Sequence, residues 1–367
     1  MHDAFKDREI ETGKIMSDVK AQYKEPRSKV RKILVYTSRY TTVLQYVARD
    51  LAQGFQDAGH ETEFLIEPYD WSRVTSYDLA QTLLRLNPDC VIKLDHVRGE
   101  APECYPANLP VITWIMDDFS HLWHPEMVSR AKPHDLILCM SGPFEKQALD
   151  AGWPRSQVKI CPMAVNDHIF HPDVPTRPEY ECDVAMIGHL PDLALWRDKD
   201  QEVFQHHLFR QKIRTDVVDW ALEMGFNVKI YGQRWDVVEN GKYKDLWMGE
   251  ITNGPDLASA YKSASIVVQA TVDSNIHMRF LETIACGGFI LPRACPDDDL
   301  PGGLHDLFPG YPTFTTKEEF VASLMSRTVS NPSNVTQNKI LSEHTYKARA
   351  AQIAAWLEEL LGNCQER

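Results

Sequence analysis

The stretch Val272-Asp273-Ser274-Asn275-Ile276-His277-Met278-Arg279-Phe280-Leu281-Glu282-Thr283-Ile284-Ala285-Cys286-Gly287-Gly288-Phe289-Ile290-Leu291 concentrates more chemistry than any other in the chain. It reads as a strand end, a helix over 275–286, a Gly-Gly pair and a second apolar strand. At 100° per residue Asn275, Arg279 and Glu282 fall at about 0°, 40° and −20°, so one stripe of the helix presents an amide, a guanidinium and a carboxylate. Phe280, Leu281 and Ile284 take other faces. A nucleoside diphosphate suits the stripe. Backbone N–H groups near Ser274 and Asn275 and the helix dipole favour phosphate, Arg279 adds a charged fork, and Glu282, one turn deeper, can accept from both ribose hydroxyls. The same residues also permit a plain Arg279–Glu282 pair on a solvated face, worth only a few tenths of a kcal/mol. The position at a strand-to-helix junction favours the ligand reading.

Other candidates stand directly after apolar runs. Gly188-His189 and Gly232-Gln233-Arg234-Trp235 each follow a strand-like segment. Arg234 is a candidate for the diphosphate or a surface arginine beside a turn, and Gly188 permits close backbone approach. In the first half Asp117 and Asp118 follow one apolar run, and Asp95-His96 ends another. Asp117 or Asp118 could take a proton from an acceptor hydroxyl if burial raised its pKa; the alternative is a helix cap or a loop hydrogen bond. His96 is a further catalytic candidate, with a structural role as its alternative.

Those residues need a frame, and the hydrophobic pattern supplies one. From residue 31 short β-branched runs alternate with amphipathic helices: strands are expected at 33–36, 63–67, 90–94, 111–116, 136–140 and 158–163, and the first helix carries Leu44, Val47, Leu51 and Phe55 before Gly59. Between 162 and 178 the period vanishes and Pro172 and Pro175 mark a linker. The alternation then restarts at 184–187 and continues through strands at 228–231, 266–269 and 289–291 to a final helix after His344 with Ile353, Trp356, Leu357 and Leu360 at helical spacing. The pattern is α/β: two Rossmann-like, doubly wound parallel sheets, expected to face an interdomain cleft. No G-x-G-x-x-G or G-x-x-x-x-G-K-[ST] is present, which removes the usual support for dinucleotide oxidoreductases and P-loop enzymes.

Composition narrows the classes further. Thirty-nine Lys+Arg against 52 Asp+Glu leave −13, a poor balance for gathering duplex DNA, and 43% hydrophobic residues suffice for two cores. No apolar run approaches the roughly 18 residues of a membrane span, and the N-terminus lacks a secretory h-region, so a cytoplasmic protein is expected. The eight cysteines show no C-x-x-C spacing and read as reduced core thiols. His121, His124, His206, His207 and His344 have no partners at metal-ligand spacing, so no metal is expected, and Asp297-Asp298-Asp299 between prolines reads as a turn. Residues 1–29 show no period and carry Lys20, Lys24, Arg27 and Lys29, and are expected to form a mobile arm.

The segment from Asn275 to Leu291, with Gly249-Glu250, Asp256-Leu257 and Ala260-Tyr261 before it and Ser342-Glu343-His344-Thr345-Tyr346 and Arg349 after it, resembles the CgeB-like (spore maturation protein) glycosyltransferases. Trp114-Ile115-Met116-Asp117-Asp118 and Cys161-Pro162-Met163-Ala164 extend the likeness into the first half. The resemblance implies GT-B architecture. Retaining GT-B families carry two glutamates on the corresponding helix. Glu282 matches the second, to which the resemblance assigns the nucleotide ribose. Ser274 stands where the first would fall, with Asp273 one position off. The resemblance therefore implies neither a donor sugar nor a stereochemical outcome.

Together these readings give an arm at 1–29, an acceptor domain at 30–170, a nucleotide-sugar domain at 171–345 and a C-terminal helix at 346–367 packing back toward the first domain. The expected activity is transfer of a sugar from a nucleotide diphosphate donor, UDP favoured, to an unidentified protein, glycan, lipid or modified nucleic acid. No cofactor beyond that donor substrate is expected. Donor-binding candidates are Gly188, Arg234, Ser274, Asn275, Arg279 and Glu282; catalytic candidates are Asp117, Asp118 and His96. The alternatives are a catalytically silent nucleotide-sugar-binding or scaffold protein and a GT-B epimerase or phosphorylase.

Overall fold

The computed structural model describes residues 2–23, 29–39, 41–69, 71–72, 74–117, 119–198, 200–272, 274–326 and 334–365. Asp118 and Asp273 lie outside the described residues. The chain divides into two compact units, Met1–Pro162 with Tyr346–Arg367 and Met163–Thr345.

Unit 1 runs α1 (His2–Gln22), β1 (Lys32–Thr37), α2 (Thr42–Asp57), β2 (Glu61–Ile66), α3 (Ser76–Leu86), β3 (Cys90–Leu94), β4 (Val111–Ile115), α4 (Pro125–Ser129), β5 (Leu136–Cys139), α5 (Gly142–Asp150) and β6 (Val158–Ile160). The six strands form one parallel sheet in the order β2-β1-β3-β4-β5-β6. Every residue of β3, β4 and β5 is buried, which is why these segments read as apolar runs interrupted only by Lys93 and Thr113. β1 pairs with β2 on one side and with β3 on the other, Ile33 standing opposite both Thr62 and Cys90. The winding reverses between β1 and β3, and the crevice beyond their carboxyl ends is where such sheets take ligands.

The N-terminal segment departs from the expected mobile arm. Residues 2–22 form α1, and Ile15, Met16, Val19 and Tyr23 are buried among Leu79, Leu83, Tyr105 and Leu109. Spacings of 1, 3 and 4 put these four side chains on one face, and the Tyr23 hydroxyl donates to the Pro88 carbonyl at 2.8 Å. Apolar burial of this kind, at about 25 cal/mol per Å², outweighs the fraying tendency of a charged helix.

Unit 2 runs β7 (Cys182–Ile187), α6 (Gln201–Glu223), β8 (Val228–Tyr231), α7 (Pro255–Ser263), β9 (Ala264–Gln269), α8 (Met278–Ala285), β10 (Ile290–Pro292), α9 (Leu304–Leu307), α10 (Lys317–Met325) and α11 (Asn334–Glu343). Its four parallel strands lie in the order β10-β9-β7-β8. Val184 of β7 faces Val228 of β8 and Ile266 of β9, so the reversal falls between β7 and β9.

The last helix, α12 (Tyr346–Gln365), belongs to unit 1. Tyr346, Ala350, Ile353, Leu357 and Leu361 are buried, and α12 packs on α2, where the bare Cα of Gly54 lies against the Tyr346 carbonyl. Among the described residues no helix is long and apolar enough to cross a membrane, and the seven described cysteines are unpaired and buried. Burial pushes the Cys161 and Cys182 thiols up to about 12 and about 11.

Candidate functional site

At the carboxyl ends of β7 and β9 unit 2 gathers positive charge. Arg279, in the first turn of α8, lies across Gly188, the residue that follows β7: its Nη2 is 3.1 Å from where a Cβ on Gly188 would sit. Arg214 of α6 donates from Nε to the Ala270 carbonyl at 3.2 Å and from Nη1 to the His189 carbonyl. Neither arginine has a carboxylate partner among the described residues, and the Arg279 Nε, buried, donates to nothing there. Arg210 stands one turn before Arg214 and contacts His206 at 3.2 Å.

The cluster registers in the groups around it. Burial, with the charges of Arg279 and Arg210, presses Arg214 down to about 9. Burial together with Arg279, Arg214 and Arg210 pushes His277 down to about 3. Neutral His277 can then cap α8, its Nδ1 accepting from the Arg279 N–H at 3.4 Å. Arg214 and Arg279, held this close without a carboxylate partner among the described residues, create a local potential that favours an anion.

The loops are built for close approach. Gly232 has φ +132, and a Cβ there would lie 2.5 Å from the Gly188 carbonyl oxygen. That carbonyl accepts from Trp235 Nε1 at 2.8 Å and the Gly232 carbonyl from Trp247 Nε1 at 2.6 Å. Two indoles thus hold the paired glycine turns against each other. Arg234 takes a left-handed φ of 71 and is neutralised by Asp192 at 2.7 Å, so less of its charge is available to a phosphate.

The single helical stripe expected from Asn275 to Glu282 is not formed. α8 begins at Met278 because His277 is its cap, which leaves Asn275 in the preceding loop. Asn275 is fully buried: its Nδ2 donates to the Arg293 carbonyl (2.7 Å) and Asp298 (2.9 Å), and its Oδ1 accepts from Gln269 (2.9 Å). It ties the ends of β9 and β10 together. Asp298, expected only to make a turn, is the buried acceptor of that network and also takes the Cys295 N–H at 2.8 Å. The Ser274 hydroxyl accepts from the Ile276 N–H at 3.3 Å. Glu282 is 3% exposed and accepts from Asn253 Nδ2 at 3.0 Å and the Tyr261 hydroxyl at 3.1 Å. Arg279 and Gly188 are therefore brought together, while Asn275, Ser274 and Glu282 are engaged with their own neighbours.

In unit 1 Asp117 is exposed and its N–H donates to Asp95 Oδ1 at 3.2 Å. His96 Nδ1 and His121 Nε2 both meet the Glu100 carboxylate, at 3.0 and 3.2 Å. Among the described residues no three His, Cys, Asp or Glu side chains are grouped to hold a metal ion. The sequence reading passed over Arg210 and Arg214, whose signal was two arginines one turn apart in a helix, and over His277.

Residues 210–355 match the Glycosyl transferase-like family, a segment from α6 into α12 that includes Arg214, Arg279 and Glu282. No curated protein matches the chain. Among solved structures, the sucrose-phosphate synthase of Thermosynechococcus elongatus superposes with a TM-score of 0.61 at 12% identity, covering 91% of this chain and 100% of that one. The lipopolysaccharide outer core galactosyltransferase WaaB gives 0.56 at 12% identity (89% and 99%). The catalytic domain of starch synthase IV from Arabidopsis thaliana, solved with ADP and acarbose, gives 0.56 at 9% identity (91% and 100%). The two parallel sheets match the GT-B fold of these structures, and residues 210–355 carry a glycosyl transferase-like segment.

Proposed function

We propose that the chain transfers a sugar from a nucleoside diphosphate donor, UDP being the favoured nucleotide, and that the diphosphate sits against Arg279 and Arg214. The observation that carries this is the pair of guanidinium groups without carboxylate partners among the described residues, beside the glycine turn at 188. A diphosphate supplies the missing negative charge. It gains more as the anomeric C–O bond breaks, so the same arginines favour the transition state over the bound donor. The N–H groups that open α8 add to this field, and Gly188 lets the diphosphate approach the backbone.

Glu282 accepts from the ribose hydroxyls in this reading, with Tyr261 and Asn253 holding its carboxylate in place. Ser274 leaves the donor sugar unassigned, and Arg234 lies at the rim. No metal is required, because the arginines neutralise the leaving group. The acceptor belongs to unit 1. Membership of the CgeB-like group and a cytoplasmic setting complete the reading; seven buried, unpaired thiols suit a reducing compartment.

Calorimetry with UDP, ADP and GDP tests it. Arg279→Met and Arg214→Met should each weaken the best nucleotide by at least about tenfold and flatten the salt dependence of binding. Absence of binding by all three nucleotides to the wild-type protein would overturn the donor reading.

A further inference from the structure

Unit 1 carries a groove at the amino ends of β5 and β6, the end of its sheet away from the crevice beyond the carboxyl ends. The turns that lead into these two strands and the C-terminal turns of α12 line about 810 Å³, a volume in the range of small-molecule sites. Every lining residue belongs to unit 1.

Two cations face this space. Lys132, before β5, and Lys159, on β6, are both half-buried in the wall. The arginines nearby are neutralised, Arg130 by Glu126 and Arg155 by Glu145 at 2.8 Å. Neither lysine has a carboxylate partner among the described residues, although Glu359 of α12 lines the same groove. The backbone of Lys132 is held at both of its polar groups. Its N–H donates to Asp135 Oδ2 at 2.8 Å, and its carbonyl accepts from Gln157 Nε2 at 2.6 Å. Gln157 is 5% exposed and its Nε2 also donates to the Asp135 carbonyl at 2.7 Å. Its Oε1 receives no donor from the described residues, which leaves that oxygen to whatever occupies the groove. The Asp135 that anchors this wall is the buried partner of Arg98, so the wall is fixed before any ligand arrives.

The mixture of groups indicates the ligand. A phosphate monoester carries close to two negative charges at neutral pH, which matches two uncompensated lysines, and the Ser156 hydroxyl adds a donor beside them. Trp356 and Leu360 of α12 offer apolar surface suited to the C–H face of a sugar ring. Gln157 Oε1 and the Glu359 carboxylate are acceptors for hydroxyl groups. Inorganic phosphate would leave the indole and the acceptors unused. A neutral saccharide would leave the lysines uncompensated.

We propose that this groove binds a phosphorylated saccharide, with its phosphate on Lys132 and Lys159 and its ring against Trp356. The site is separate from the arginine cluster of unit 2, and the proposal does not rest on the donor reading.

Calorimetry at about 0.15 M salt tests it with glucose 1-phosphate, glucose 6-phosphate, glucose, inorganic phosphate and AMP. The proteins are wild type, Lys132→Met, Lys159→Met and Trp356→Ala, with thermal midpoints to check each fold, and Arg279→Met as the control in unit 2. The expected result is that wild type binds one of the glucose phosphates at least about tenfold more tightly than glucose, phosphate or AMP. Each lysine variant and Trp356→Ala should lose at least about tenfold of that affinity, and Arg279→Met should keep it. Three results would each overturn the proposal: no binding of either glucose phosphate at millimolar concentration, AMP or inorganic phosphate bound as tightly, or wild-type affinity in both lysine variants. Loss of binding in Arg279→Met alone would place the ligand in unit 2 and overturn it as well.

Discussion

The guanidinium of Arg279 lies over the bare Cα of Gly188, close enough that a single added methyl would stand 3.1 Å from its Nη2. The far end of a flexible side chain can yield to that methyl. At φ +157 an alanine is also strained, so Gly188→Ala should fold with a somewhat lower thermal midpoint, displace Arg279 and weaken UDP binding about tenfold in calorimetry.

Gly232 is the opposite case. The methyl of Gly232→Ala would meet the Gly188 carbonyl at 2.5 Å, in a backbone conformation of φ +132 that side chains avoid. Neither turn can move without losing its indole hydrogen bond. A loss of about 2 to 4 kcal/mol of stability is expected in urea unfolding.

His277 makes stability depend on pH. Its ordinary pKa of 6.5 applies to the unfolded chain, whereas burial and three arginines hold the folded value near 3. Between those values the unfolded chain binds the extra proton, so the contribution is present above pH 6.5 and is lost as pH falls toward 3. His277→Asn keeps a cap acceptor and removes the titration. Its urea midpoint should fall less than that of wild type between pH 7.5 and pH 4.5.

Arg98 and Asp135 form a forked pair, Nε to Oδ2 at 2.7 Å and Nη2 to Oδ1 at 2.9 Å, with side chains 1% and 2% exposed. Asp135 also accepts from the Val111 and Lys132 N–H groups. Arg98→Met leaves that carboxylate buried without its cation and should cost about 3 to 5 kcal/mol. UDP affinity of the folded variant should not change, because the pair lies in unit 1 and the arginine cluster in unit 2.

Glu282→Gln tests the ribose assignment. The amide retains one oxygen for Asn253 or Tyr261 but brings an NH₂ where an acceptor stood. Nucleotide binding should weaken by roughly 1 to 3 kcal/mol with a near-native thermal midpoint. Unchanged affinity would remove Glu282 from the donor site.

Strands buried on both faces were legible because nothing interrupts them: Val111–Ile115 and Leu136–Cys139 are wholly apolar but for one threonine. The helix at His2–Gln22 was not, since a few apolar side chains among many charged ones carry a weak periodic signal and become a face only against α3. Arg279 and Gly188 were found from their places at strand ends. Asn275 was misplaced because periodicity runs through a helix start without showing it, and the start is set by the cap at His277. The groove before β5 and β6 went unseen because Lys132, Lys159 and Trp356 come from three separate segments, and no spacing encodes their meeting.

The placement of α12 has a consequence for biosynthesis. Most of unit 1 is translated before unit 2, yet the helix that covers α2 is encoded after all of unit 2. During translation the whole of unit 2 is available to fold while the apolar face of α2 has nothing to cover it. A nonsense codon or proteolytic nick near residue 345 would thus injure the unit that was made first and spare the one made second.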